Sequence, residues 1–187
     1  MAIRFRELTR DEIEVRVQSV SEKGAVLLLY KDARCDMRIL DETVGPDNWQ
    51  KRFHECKGTL FCSVGIRVTE ERKIEAAPYV LSDSRWVWKE DAGVPSNTEA
   101  AKGEASDAFK RACFNWGIGR ELYTSPFVWV PAQSINVRPG KNGKPQCFDR
   151  FMVEKVRTEE GRITGLSIWN ETKACRCFVW QLEKRQG

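Results

Sequence analysis

One histidine stands in 187 residues, and none of the seven cysteines pair as C-x-x-C. Structural zinc takes four ligands, usually in two closely spaced pairs. Here Cys175-x-Cys177 is a single pair, lying on one side of a strand. With Cys35, Cys56, Cys62, Cys113 and Cys147 it reads as reduced thiol, and the odd count excludes a full disulfide framework. His54 has no marked nucleophile near it, so no Ser or Cys triad can be built on it. A phosphate loop is also missing. GKNGK at 140–144 sets its glycines three apart and is followed by Pro145, whereas a Walker loop needs four residues between its glycines and Ser or Thr after Gly-Lys. The lone Gly117-x-Gly119 is no dinucleotide fingerprint. Neither a metal nor an organic cofactor is expected, and an ATP-driven mechanism is argued against.

Long apolar runs are lacking too. Nothing approaches the roughly 18 residues of a membrane span, and MAIRFRELTRDE has no apolar core of a signal peptide, so a cytoplasmic protein without a membrane partner is expected. Strong charge is the last absence. A net charge of +4 and a pI near 8.7 fall short of the pI of about 9 common among nucleic-acid binders, so any such affinity has to be localised.

What is present describes a globular chain: 41% hydrophobic and 31% charged residues, long enough to bury roughly 70% of its unfolded surface. EIEVRVQSV (12–20) alternates apolar and polar residues with the period of a half-buried strand. AVLLLY (25–30) pairs with it in a hairpin across SEKG. A short helix over 32–44 buries Ala33, Met37, Leu40 and Val44, sets Arg34 and Arg38 at i, i+4 on another face, and stops at Gly45-Pro46. Strands are expected near 48–56, 59–68 and 74–81, with WVWK (86–89) a further one, separated by turns at TEERK (69–73) and SDS (82–84). No internal repeat is visible.

A longer helix follows. Ser96 with Glu99 makes a capping box after Pro95. Ala101, Ala105, Ala108, Ala112 and Trp116 then recur at three- and four-residue steps as a buried stripe, and Gly117 sits where a left-handed cap belongs. Small residues on that stripe let the helix axis approach a sheet closely. Lys102, Ser106 and Lys110 share a second face, with Arg111 about 100° further round. Taken alone, this reads as a core helix with ordinary solvated charges.

After Tyr123 the texture changes. SPFVWVPAQ is an extended, proline-bounded segment, and NVRPGKNGKPQ (136–146) is a loop carrying Arg138, Lys141 and Lys144 without an acid. FDRFMVEKVR and RITGLSIWN form a hairpin around EEG, and CRCFVWQ is a last strand. The fold class is α+β. It comprises an antiparallel β-sheet with a short helix before it, a long small-residue helix packed on it, and a β-rich C-terminal extension. The organisation is a core over 1–125 and an extension over 126–187 that belongs to the same domain.

The order of GPDNW in the first helical block and KGEASDAFKRACFNWGIGRELY in the second resembles the single-strand annealing proteins of the Sak and DdrA type. These are phage and bacterial relatives of the eukaryotic Rad fifty-two recombination protein. The resemblance covers roughly residues 10–125. It departs at Phe114, where eukaryotic members tend to carry a third basic residue, and at Pro46, where they tend to have an aromatic. It implies no catalysis but single-stranded DNA binding on a homo-oligomeric ring, and ATP-independent annealing in recombination and repair. Lys110 and Arg111 would hold phosphates, Lys102 and Arg34 would assist, and Arg38 is the outermost candidate. A single-strand binding protein or an exonuclease would fit as a partner.

Two other classes stay open at this point. One is a structure-specific nuclease, or its accessory subunit, built on the same basic face; its best acidic cluster is Asp149 with Glu154-Lys155, and the spacing is poor. The other is a scaffold whose long helix only joins subunits, with Lys110 or Arg111 paired to Asp107 or Glu104. The seven tryptophans include Trp49, Trp86, Trp88 and Trp116 in periodic apolar positions, where core packing is the default.

Overall fold

The computed structural model describes residues 3–73, 80–95, 100–140 and 143–183. Its strands and helices run β1 (Glu14–Ser21), β2 (Gly24–Tyr30), α1 (Ala33–Val44), β3 (Trp49–Cys56), β4 (Thr59–Lys73), β5 (Val80–Ala92), α2 (Ala100–Trp116), β6 (Val128–Pro131), β7 (Arg138–Pro139), β8 (Pro145–Gln146), β9 (Phe151–Glu159), β10 (Arg162–Asn170) and β11 (Cys175–Gln181). All paired strands are antiparallel, and the α+β class expected from the sequence is what forms.

The chain divides into two compact units, residues 1–6 with 33–118 and residues 7–32 with 119–187. This differs from a division at 125/126. The reason is pairing: the β1–β2 hairpin meets β9 through Glu14 and Met152 on one side and β6 through Gly24 to Leu27 on the other. It therefore forms the middle of the C-terminal unit's six-stranded sheet, in the order β11-β10-β9-β1-β2-β6. Gly24 is required there, because a Cβ would stand 2.2 Å from the Val130 carbonyl oxygen of β6. The core of this unit includes Leu27, Val130, Val153, Ile163 and Ile168. Asn170, fully buried, donates to the Ser134 carbonyl at 3.0 Å and to Asp149 at 2.8 Å, and accepts from the backbone of Thr172 and Lys173.

The other unit is a three-stranded sheet, β3-β4-β5, with α2 laid across one face. Cys62, Val64 and Ile66 alternate along β4 toward that helix and are fully buried. Ala108, Phe109, Ala112 and Cys113 supply the helix side, so the buried stripe is rotated slightly from the one expected, with Ala105 and Trp116 at its half-buried margins. The capping box at Ser96 and Glu99 lies outside the described residues. The C-terminal cap forms as expected. Gly117 takes φ 113°, and the Gly117 and Ile118 amides donate to the Phe114 and Cys113 carbonyls, which is the Schellman arrangement.

Three local expectations are corrected. Residues 69–73 and 82–84 are not turns but parts of β4 and β5, paired from Phe61 with Ala92 out to Lys73 with Val80. The polar side chains of Thr69, Glu70, Ser82, Asp83 and Ser84 are exposed on this ladder, which accounts for their composition without a chain reversal. Most of the strand expected at 74–81 lies outside the described residues. The buried face of α1 is Cys35, Asp36, Ile39 and Leu40, which leaves Met37, Ala33 and Val44 half-buried; the helix ends at Gly45, φ 85°, as expected. Among the described residues no helix is long and apolar enough to cross a membrane.

Candidate nucleic-acid interface

The position of α2 is fixed by backbone proximity. A Cβ on Gly93, just past β5, would lie 2.2 Å from the Glu104 carbonyl oxygen and 3.0 Å from the Ala108 Cβ. Sheet and helix thus touch main chain to main chain, which glycine and alanine permit. One flank of α2 is then pinned by polar contacts of Glu104, Asp107 and Asn115. Glu104 accepts the Leu60 amide at 3.2 Å, Asp107 accepts the Val94 amide at 3.1 Å, and the Asn115 side chain donates to the Glu90 carbonyl at 2.9 Å. Lys89 closes the helix end by donating to the Asn115 carbonyl at 2.9 Å, with its ammonium 4.6 Å over the Trp116 ring; a cation there complements the helix dipole.

Arg111 belongs to this pinned flank, its Nε 3.7 Å from Asp91 Oδ1 with both side chains partly exposed. Such a pair is worth less than about 1 kcal/mol. Glu104 and Asp107, the carboxylates considered as intersubunit partners, are engaged by the Leu60 and Val94 amides instead. Lys110 leaves the helix on the other flank with Ser106, both half-buried, and Lys102 is exposed at the described start of the helix. Lys110 has no ion-pair partner among the described residues. Arg34 and Arg38 are exposed on α1, opposite its buried face, and α1 packs against α2 and β3. The structure therefore gathers all five cations into one unit, while sending Lys110 and Arg111 to different sides of their helix. The loop cations Arg138 and Lys144 are exposed in the other unit; Lys141 lies outside the described residues.

The tryptophans depart from the core expectation. Trp49 and Trp116 are half-buried and hydrogen-bonded, to Asp41 at 2.6 Å and to the Val64 carbonyl at 2.9 Å. Trp86 and Trp88 lie on the sheet face away from α2, Trp86 at 39% exposure. Because Lys51, paired with Val64, contacts Phe109 of the helix, strand alternation sends Arg52, Gly65, Arg67, Trp86 and Trp88 to the opposite face. Sequence reasoning missed Arg52 and Arg67. The alternation in SRWVWKE was the available signal, but only the pairing partner says which side the helix covers.

The acidic cluster weighed for nuclease chemistry is consumed by donors. Glu154 forms a bidentate pair with Arg176 at 2.5 and 2.6 Å, which holds its carboxyl down at about 2. Burial pushes Asp149 up, but hydrogen bonds from Asn170 and Asn136 outweigh it and leave the carboxyl below its ordinary value. Both folded values lie below the unfolded ones near 4, so this stabilisation is complete above about pH 4 and is lost as the pH falls through the folded values. Denaturant unfolding followed at several pH values should show the midpoint falling below about pH 4. In an Asp149→Asn, Glu154→Gln variant that fall should be shallower; an identical fall would refute the assignment.

The sequence pattern of the Rad52/22 family double-strand break repair protein matches residues 5–142. The single-stranded DNA-binding protein DdrA of Deinococcus radiodurans is 37% identical over 139 residues, 73% of this chain and 59% of that protein. Its counterpart in Deinococcus deserti is 36% identical over 108 residues, 57% of this chain and 46% of that protein. The chain thus spans about half the length of these curated relatives. No solved structure matches it.

Proposed function

The chain belongs to the Rad52/22 family of double-strand break repair proteins, and from that membership we propose that it binds single-stranded DNA and anneals complementary strands without ATP, as a homo-oligomeric ring. The observation that carries this reading is α2. The helix is locked main chain to main chain on its sheet, and its remaining flanks carry Lys110, Arg111 and Lys102. Phosphates are held chiefly by such cations, with an affinity that falls as salt rises. Cations held at fixed positions on a rigid helix grip the backbone and leave bases free to test a second strand. Base pairing itself supplies the free energy, so the protein needs no fuel. The similarity to proteins described as single-stranded DNA-binding supports the ligand class, and the carboxylates of Asp149 and Glu154, the acids weighed for the nuclease alternative, are engaged by side-chain donors.

Pairing of complementary oligonucleotides, followed by fluorescence transfer, tests the activity; light scattering tests the assembly. The expected result is faster pairing that is indifferent to ATP and magnesium, from a particle several times the monomer mass. No acceleration over protein-free strands, or a requirement for ATP, overturns the annealing reading. A monomer mass at micromolar concentration, with and without DNA, overturns the ring.

A further inference from the structure

We infer that the helix-free face of the β3–β4–β5 sheet is a stacking platform for the unpaired bases of single-stranded nucleic acid, separate from the cations of α2. The inference rests on the proposed function for its class of ligand and on different residues for its evidence. Trp86 and Trp88 lie two apart on β5, ring centroids 6.1 Å apart and 33° from coplanar. The platform has a built floor. Opposite Trp88 stands Gly65, where a Cβ would meet the indole at 2.8 Å, so only glycine lets that ring lie flat against β4. Beside it the Arg52 guanidinium sits 4.3 Å over the Trp88 ring, and exposed Arg67 is the register partner of Trp86.

Neither Arg52 nor Arg67 has an ion-pair partner among the described residues. Among the residues whose side chains are described, the acid on this face is Glu90, which shares the rung of Arg52 through Ser63; it accepts the Ser63 hydroxyl at 2.8 Å and faces His54 at 3.9 Å. The face therefore joins exposed aromatic surface to two guanidinium groups that have no ion-pair partner among the described residues. A nucleic-acid strand with free bases matches both: each base has a π-face for the indoles, and the connecting phosphates meet the arginines. An apolar protein partner would leave those charges desolvated and unpaired. Because every base can stack, the platform is expected to be tolerant of sequence.

An abasic strand isolates the idea, since it keeps the phosphates and lacks the rings. Affinity for a thymidine homopolymer is compared with that for an abasic strand of equal length, and quenching of tryptophan fluorescence is read in the same titration. The expected result is a preference for the homopolymer of about tenfold or more, the scale of one stacked base, with quenching on binding. Trp86→Ala should lose most of that preference and of the quenching at unchanged circular dichroism, and Trp86→Phe should restore the preference. Lys110→Ala with Arg111→Ala should weaken both strands alike and keep their ratio. Equal wild-type affinity for the two strands, or an unchanged ratio in Trp86→Ala, overturns the platform while leaving the α2 reading standing. A smaller particle mass in Trp86→Ala assigns the face to contact between copies and overturns it also. Binding to neither strand overturns both readings.

Discussion

Lys110→Ala combined with Arg111→Ala lowers affinity for single-stranded DNA by roughly a hundredfold and leaves the fold intact. Each cation is on a flank of α2 that does not pack on the sheet core, and the ion pair of Arg111 with Asp91 at 3.7 Å is too exposed to matter for stability. Hydrogen bonds to charged groups are worth about 1.5 kcal/mol or more each, and two of them give about two orders of magnitude. The loss should be the same for every sequence, and the salt dependence should flatten by about one slope unit per lost phosphate contact. The two positions are not equivalent. Asp91 partly neutralises Arg111, so Asp91→Asn should tighten binding, whereas no acid among the described residues pairs with Lys110. Filter binding across a salt series, with mass and circular dichroism as controls, checks all three. Unchanged affinity in a correctly assembled double variant removes the site from α2, and the exposed loop cations Arg138 and Lys144 are the next to test.

Phe109→Ala should cost about 3–5 kcal/mol of stability, the usual range for emptying an aromatic site in a core. Phe109 is 1% exposed and stands at the centre of the seam between α2 and the sheet. Trp49 packs 6.2 Å from it and the Lys51 ammonium lies 4.6 Å over its ring. Removing the ring leaves a cavity directly beside Lys110, and the main-chain contact at Gly93 prevents the helix from collapsing further into it. The denaturant midpoint should fall accordingly, and single-strand binding should weaken with it because the cations lose their fixed spacing. Phe109→Leu, closer in volume, should recover most of both. A loss of less than about 1 kcal/mol in Phe109→Ala would mean that α2 is held by its polar clamps alone.

Much of this protein is local and therefore legible in the chain. The alternation of residues 14–21, the stop at Gly45-Pro46, the alanine-rich stripe of α2 and its glycine cap each depend on interactions within a few residues. So did the nomination of Lys110 and Arg111, which the block KGEASDAFKRACFNWGIGRELY carries as a linear pattern. What depended on distant partners was not legible. The β1–β2 hairpin reads the same whichever sheet it joins, and only its rungs to β9 and β6 assign it to the C-terminal unit. The charged stretch 69–73 looks like a turn until its cross-strand partners are seen to carry the ladder onward. Trp86 and Trp88 have the spacing of buried strand residues. Their exposure was decided by which face of the sheet α2 covers, and strand alternation alone fixes two faces without saying which one meets the helix.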